Sequence, residues 1–375
     1  MSDMDIFNIH EKLKEITNDT NKDDLHILGQ ELELENFKDV LLKSEQIREK
    51  YQLNVELQKI LLLVEAVSYA QTGDLEASAE IISELYNSMP LATDEIVLLG
   101  QLAFMCDYKL SRRIMSKAVE KMEKEIETDQ EKLARSYLVL GEAEENLEKY
   151  IRAVKYYKKG LNYFQQLEER EQDQHMILYL HFKIGMLHTT LNEAEEAVTY
   201  LNKTISLAGE NDYIKIHSLV SIAMTYGSEE ENEKSFPYLE EAIQLLPGSS
   251  LKNTRVHADA LTEMAFYYFK KSELKEAVPY YTDAIALFND QSNTSHRKLG
   301  MIYMQYAYCL EHKNPSNITS AGRNYENAIV QLEKVNDQEL LENALADVIA
   351  FFYHTKNTSK KRLYENKVVR MMSQK

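Results

Sequence analysis

Apolar residues between Ala258 and Phe288 recur three and four positions apart, which is the spacing of an amphipathic helix. The pattern stops at Lys270–Glu273 and then resumes, so this segment predicts two helices joined by a tight turn. Small residues let two helix backbones approach closely, and a tyrosine fills the space beside them. In this hairpin those positions are Ala265, Ala277, Tyr281 and Ala284.

The same order of residues recurs along most of the chain. The small residues that correspond to Ala277 in other second helices are Ala153, Ala197, Ser235 and Ala321. Neighbouring members of this series are 44, 38, 42 and 44 residues apart, a period that indicates a repeat protein. Pro237 and Pro279 fall near the start of two second helices, and we expect those helices to begin no earlier than about Lys234 and Glu276.

This order of small and large residues resembles the tetratricopeptide repeat, TPR. The resemblance implies an all-α fold, a right-handed TPR superhelix, which is an α-solenoid of stacked helical hairpins. The pattern weakens at both ends of the chain, as is usual for terminal repeats. We therefore expect an N-terminal helical cap or degenerate repeat over residues 1–54, the TPR array over 55–335, and C-terminal capping helices over 336–375.

Composition restricts the partners. The chain has 43 basic and 61 acidic side chains and a net charge of −18, so nucleic acid and anionic membrane surfaces would repel most of its surface. Two cysteines in 375 residues fit a reducing compartment. The first residues carry acids and no apolar run, and no stretch is apolar for long enough to span a membrane. These features predict a cytoplasmic protein.

The sequence shows no catalytic constellation. It contains no G-x-S-x-G elbow, no glycine-rich phosphate loop and no H-E-x-x-H motif. His181 and His188 are seven residues apart, which is ~10 Å along a helix and too far to share a metal ion. We therefore expect no catalytic residue, metal or cofactor, and a non-enzymatic protein.

A ligand site is expected on the first helices of the hairpins, which line the concave groove of a TPR array. Helical periodicity turns a mixed aromatic, methionine and polar set toward that groove, and such a surface suits an extended or helical peptide. The candidate residues for binding a peptide or protein partner are Tyr179, Phe182, Met186, His217, Met224, Asp259, Thr262, Phe266, Tyr303 and Tyr306.

The phrases EKSFPYLEEAIQL and KEAVPYYTDAIAL, proline included, resemble repeats of the Rap, NprR and PlcR peptide-pheromone receptors of Gram-positive bacteria. This resemblance covers residues 59–375 and implies a regulator that binds a signalling peptide, as in quorum sensing. The N-terminal residues show no helix-turn-helix and no alignable phosphatase motif, so neither Gln46 nor Gln52 is assigned a role.

Three functions stay open at this point. The first is a non-enzymatic regulator that binds a peptide or protein in the groove. The second is a TPR adaptor or scaffold for the assembly of protein complexes, and the third is a Rap-like response-regulator phosphatase or antagonist. A homodimer is left open as well.

Overall fold

The computed structural model describes residues 9–18, 20–125, 128–167, 171–228, 231–291 and 295–373. In these ranges every regular element is a helix, and no residue is in a strand. The chain forms two compact units, an N-terminal unit that ends at Leu187 and a C-terminal unit that begins at His188. The prediction of an all-α TPR solenoid built from helical hairpins is confirmed.

The N-terminal unit holds three short helices followed by hairpins, and it ends within α10. The hairpins are α4 with α5, α6 with α7, and α8 with α9. The helices are α1 Ile9–Ile16, α2 Lys22–Glu33, α3 Phe37–Lys50, α4 Val55–Thr72, α5 Leu75–Ser88, α6 Thr93–Cys106, α7 Tyr108–Met122, α8 Gln130–Asn146, α9 Tyr150–Gln166 and α10 Glu171–Thr190.

The C-terminal unit continues the hairpin series, and a short 3-10 helix over Leu246–Gly248 follows α13. Its hairpins are α12 with α13, α14 with α15, α16 with α17, and α18 with α19. The helices are α11 Ala194–Leu207, α12 Asp212–Ser228, α13 Asn232–Leu245, α14 Arg255–Lys270, α15 Leu274–Asn289, α16 His296–His312, α17 Ile318–Leu332, α18 Gln338–His354 and α19 Thr358–Met372.

Several hairpins turn through one residue in the left-handed backbone conformation. In the α14–α15 hairpin this residue is Ser272, with φ of 60°, and the next amide, of Glu273, donates to the carbonyl of Tyr268 at 2.9 Å. That bond satisfies a carbonyl that the end of the helix would leave without a partner. Equivalent left-handed residues are Glu35, Gly73, Glu148, Asn192 and Lys356.

Small residues hold the two helices of a hairpin together as the sequence predicts. Ala277 is fully buried, and so is Tyr281 beside it. At the equivalent position of the α4–α5 hairpin, the Ser78 hydroxyl donates to the carbonyl of Ala66 at 2.7 Å. A hydroxyl can reach the backbone of the first helix only because the two helices nearly touch at this position.

The expected starts of two second helices are wrong. The structure begins α13 at Asn232 and α15 at Leu274, so each helix has a full turn before its proline. Pro237 and Pro279 are both exposed. A proline inside a helix leaves the carbonyl four residues earlier without its donor. Those carbonyls belong to Glu233 and Lys275, which are also exposed, so water can take the place of the missing amide.

Ala277→Leu should lower the melting temperature of the protein. The new side chain has no free volume at a fully buried helix contact, and overpacking of this kind costs about 1–3 kcal/mol. Thermal unfolding followed by circular dichroism measures the change.

Ala286→Leu is the matched control, because Ala286 lies on the same helix and is exposed. We expect this variant to melt within the error of the parent. Equal melting temperatures for the two variants would show that Ala277 does not lie at the contact between the helices.

Candidate functional site

Three of the expected ligand-contacting residues lie on α10 in the N-terminal unit. Tyr179, Phe182 and Met186 are all half-buried. The Tyr179 hydroxyl donates to Oε1 of Glu142 on α8, at 3.0 Å. This bond joins two first helices, so Tyr179 both presents an edge to solvent and holds α8 and α10 together.

Charges beside Tyr179 are already paired. Lys183 Nζ on α10 lies 2.6 Å from Glu145 Oε1 on α8, and the Tyr157 hydroxyl donates to the other oxygen of Glu145 at 2.6 Å. Burial raises the pKa of Glu142, and the hydrogen bond from Tyr179 opposes that shift. This part of the first helices is therefore an organised polar patch.

Four of the expected residues of the C-terminal unit keep accessible surface on α12 and α14. Met224 is 36 % exposed, while His217, Asp259 and Phe266 are half-buried. The His217 ring lies 4.7 Å from the ring of Tyr213, between centroids. Burial lowers the pKa of His217, and the opposing effect of the Asp259 charge is smaller, so the net shift is downward. The imidazole is therefore mainly neutral near pH 7.

The side chains of the other three expected residues are mostly engaged in contacts within the protein. Thr262 is buried, and its hydroxyl donates to the carbonyl of Ala258 at 2.8 Å. Tyr303 is buried, with its hydroxyl 3.3 Å from the amide nitrogen of Asn289. Tyr306 is half-buried, and its hydroxyl lies 2.9 Å from that of Thr282 on α15.

An ion pair fixes the spacing of α14 and α16. Lys298 Nζ on α16 donates to Oδ1 of Asp259 on α14 at 2.7 Å, and both side chains are largely shielded from solvent. Arg255 approaches the other oxygen of Asp259 at 3.9 Å. The charge of Asp259 is thus largely balanced within the protein.

Glu263 lies one helical turn after Asp259, and it was not among the residues expected from the sequence. Its Oε2 atom lies against α12 at Gly227, where an added Cβ would come within 3.2 Å of it. The pKa of Glu263 is raised, mainly because the carboxyl group is shielded from water. The charge of Asp259 adds to this shift, and the charge of Lys298 partly opposes it. The pattern could not single out this residue, because its environment depends on a glycine of the preceding hairpin.

A row of aromatic rings starts at Phe266 and runs from α14 to α16. Phe266 stacks on Phe269 with 6.4 Å between centroids, and Phe269 and Tyr308 meet edge to face with 5.6 Å between centroids. Tyr308 stacks in turn on His312 at 4.0 Å. Only Phe266 was expected from the sequence; the other rings lie at the ends of their helices, near the turns.

These first helices offer apolar and aromatic contact area together with carboxylates. Among the described residues no three His, Cys, Asp or Glu side chains lie close enough to hold a metal ion. A search of the same part of the chain finds no helix that combines the length and apolar character of a membrane span.

Comparison with known proteins agrees with the repeat pattern. A family model described as "Tetratricopeptide repeat" matches residues 134–166 and 178–211. Response regulator aspartate phosphatase E of Bacillus subtilis (strain 168) is 25% identical over 163 residues, a match that spans 42% of this chain and 42% of that relative. The chain therefore contains TPR repeats, and it resembles a Rap protein over less than half of either length.

Three solved structures share the fold over nearly the whole chain. The apo form of RapI matches with a TM-score of 0.59 and 13% identity, covering 97% of both chains. Aspartyl phosphate phosphatase F from Bacillus subtilis matches with 0.51 and 15%, covering 97% of this chain and 94% of its own. The apo quorum sensor NprR from B. thuringiensis matches with 0.52 and 16%, covering 94% and 100%. The predicted resemblance to Rap and NprR proteins is confirmed at the level of the fold.

Glu263→Gln should stabilise the protein at pH 7 and have little effect at acidic pH. An acid whose pKa is raised in the folded state contributes stability that is complete below its unfolded pKa and is lost as the pH rises through the folded pKa. The glutamine side chain of the variant cannot ionise, so the variant does not lose this stability as the pH rises. Melting temperatures of parent and variant, compared at pH 7 and below pH ~4, measure the difference.

Glu276→Gln is the control for the same change in charge, because Glu276 is exposed on α15. It should shift the melting temperature far less than Glu263→Gln at pH 7. A destabilised Glu263→Gln variant at pH 7 would mean that the carboxylate is held by favourable contacts, and our account of its burial would be wrong.

Proposed function

We propose that this chain is a regulatory protein without catalytic activity of its own, and that it binds a short peptide on the first helices of its TPR hairpins. Each unit has its own set of proposed ligand-contacting residues. In the N-terminal unit they are Tyr179, Phe182 and Met186. In the C-terminal unit they are His217, Met224, Asp259, Thr262, Phe266, Tyr303 and Tyr306.

The observation that carries the proposal is the accessible apolar and aromatic surface of α12, α14 and α16. Met224 is 36 % exposed and Phe266 starts the row of rings that reaches Tyr308. Methionine and aromatic side chains adapt to an extended peptide, while carboxylates and hydroxyls beside them can orient its backbone. Thr262 and Tyr303 would act by shaping this surface, since both are buried.

The comparisons with known proteins support the proposal of a peptide-binding regulator. The NprR structure is described as a quorum sensor, and its fold covers 94% of this chain. A ligand that bridges several hairpins would favour one arrangement of those hairpins over others, and a protein partner could read that change.

A second candidate is an aspartyl-phosphate phosphatase. The 163-residue match to response regulator aspartate phosphatase E favours it. Incubation with a receiver domain phosphorylated by acetyl phosphate tests it directly. Release of phosphate faster than the spontaneous rate would replace our proposal of a non-enzymatic regulator.

An adaptor that holds a large protein and has no peptide ligand is the third reading. It predicts that no short peptide stabilises the protein. A ligand that binds only the native state increases the free energy of unfolding by mass action, by about 2.7 kcal/mol at a concentration of 100 Kd, and so raises the melting temperature. A thermal-shift screen therefore separates a peptide receptor from an adaptor.

We expect a subset of a synthetic pentapeptide library to bind the parent protein and raise its melting temperature. Met224→Ala combined with Phe266→Ala should weaken the best of these peptides by about tenfold or more, because truncation of buried anchors at an interface typically costs about 1–2 kcal/mol each. Isothermal titration calorimetry gives the affinities.

Tyr108→Ala is the control, since Tyr108 is an exposed aromatic residue on α7, a second helix of the N-terminal unit. It should leave peptide affinity unchanged. Equal affinity of the parent and a folded Met224→Ala, Phe266→Ala variant would exclude this surface as the peptide site.

A further inference from the structure

The C-terminal unit contains a pocket that none of the ten expected ligand-contacting residues lines. Its volume is about 360 Å³, and it lies between α14, α16, α17 and α18. This is large enough for a single side chain or a small organic group, and near the lower end of ligand pockets in general. Its floor and walls come from Phe269, Tyr308, Tyr325 and Phe351, and its carboxylates from Glu311 and Asp347.

The walls are aromatic, and their geometry is defined. The Phe269 and Tyr308 rings meet at an angle of 73° with centroids 5.6 Å apart. On the other side, Tyr325 and Phe351 lie 4.9 Å apart at 49°. Differently inclined rings around one cavity present several π-faces, and the negative face of a ring attracts a cation.

One carboxylate of the pocket is held in place. The hydroxyl of Tyr325, a residue that is 4 % exposed, donates to Oε2 of Glu311 at 2.9 Å. Both the burial of Tyr325 and the charge of Glu311 raise the pKa of this tyrosine, so the phenol remains the donor and Glu311 the acceptor. The hydrogen bond from Tyr325 therefore holds the Glu311 side chain in one orientation.

A second carboxylate stands across the pocket on α18. Asp347 has a raised pKa because of partial burial. Among the described residues that line the pocket, none is lysine or arginine, and His312 Nδ1 lies 3.7 Å from Glu311 Oε2. The pocket thus combines two acids with aromatic walls and has no permanent positive charge of its own.

We propose that this pocket binds an organic cation, a guanidinium or alkylammonium group. A planar guanidinium can stack with one face on Tyr308 while its N–H groups donate to Glu311 and Asp347. An anion would be repelled by the two carboxylates, and a neutral apolar group would gain nothing from their charge. A hydrated metal ion would gain no ligand from the rings.

The inference deepens the proposed function and rests on it for the source of the cation. The pocket adjoins the row of rings that begins at Phe266, so the cation would be an arginine or lysine side chain of the bound peptide. The pocket itself can be tested without the peptide.

The probes are L-arginine amide and L-citrulline amide, which have nearly the same shape and differ in the charge of the side-chain end. Saturation-transfer NMR titrations on the full chain give both affinities. We expect the parent to bind arginine amide about fivefold or more tightly than citrulline amide, as cation–π and charge-assisted contacts would produce.

Glu311→Gln combined with Asp347→Asn should abolish that preference, because the glutamine and asparagine side chains keep the size of the acids and remove their charge. Glu276→Gln combined with Asp290→Asn removes the same charge from exposed positions on and next to α15 and should retain the preference. Circular dichroism checks that both variants are folded. Equal binding of the two amides by the parent, or no binding of arginine amide at millimolar concentration, overturns the proposal.

The pentapeptide screen separates this inference from the proposed function. Binding of arginine amide with no binding of any peptide would support the cation pocket and reject the peptide receptor. Peptides that bind without any preference for arginine or lysine, and with the same affinity to the Glu311→Gln, Asp347→Asn variant, would reject the cation pocket and leave the receptor in place.

Discussion

Close contact between the two helices of a hairpin is the constraint on which the rest of the structure depends. Ala153, Ala277 and Ala321 are fully buried at this contact, and Ser78 and Ser111 use it to donate hydrogen bonds to the first helix at 2.7 and 2.8 Å. Since a larger side chain would push the helices apart, the small residue sets their separation. The tyrosine one turn later then fills the space that the small residue leaves. In Tyr157 and Tyr281 the ring is buried while the hydroxyl reaches a polar partner toward the first-helix face.

The surface of the first helices follows from this packing. Tyrosine hydroxyls that emerge from the hairpin contacts hold acidic and amide side chains, as Tyr157 holds Glu145 and Tyr325 holds Glu311. The result is a surface on which carboxylates have fixed orientations next to aromatic rings. Such pre-organisation reduces the entropy that a ligand must give up in ordering the protein. The excess of acidic residues therefore gives the chain its net negative charge and also places oriented carboxylates beside aromatic rings on the first helices.

The sequence was sufficient for the hairpins because their contacts repeat. Ala277, Tyr281 and Ala284 are buried where periodicity places them. The site was only partly predictable, because periodicity identifies a helix face but not the position along the axis where several helices leave a cavity. Tyr303 has the expected spacing and yet is buried against α15, whereas Tyr308, five residues later, is 43 % exposed at a pocket. Asp347 lies on α18, which the sequence pattern indicates only as a capping helix, so the pattern does not single this residue out.

The carboxylate of Glu95 has a consequence for the order in which the chain can fold during synthesis. It binds Lys59 Nζ at 2.7 Å and Lys12 Nζ at 3.1 Å, which joins α1 to α4 and α6 across 83 residues of sequence. Ile9 and Leu13 of α1 are buried in the same core. Hairpins can close as soon as their two helices have left the ribosome, since their partners are near in sequence. The helix α1 is made before them and can meet α2 early, but its contacts with α4 and its ion pair with α6 form only after those helices have emerged. During that interval the apolar side chains of Ile9 and Leu13 lack most of the core that buries them in the folded protein.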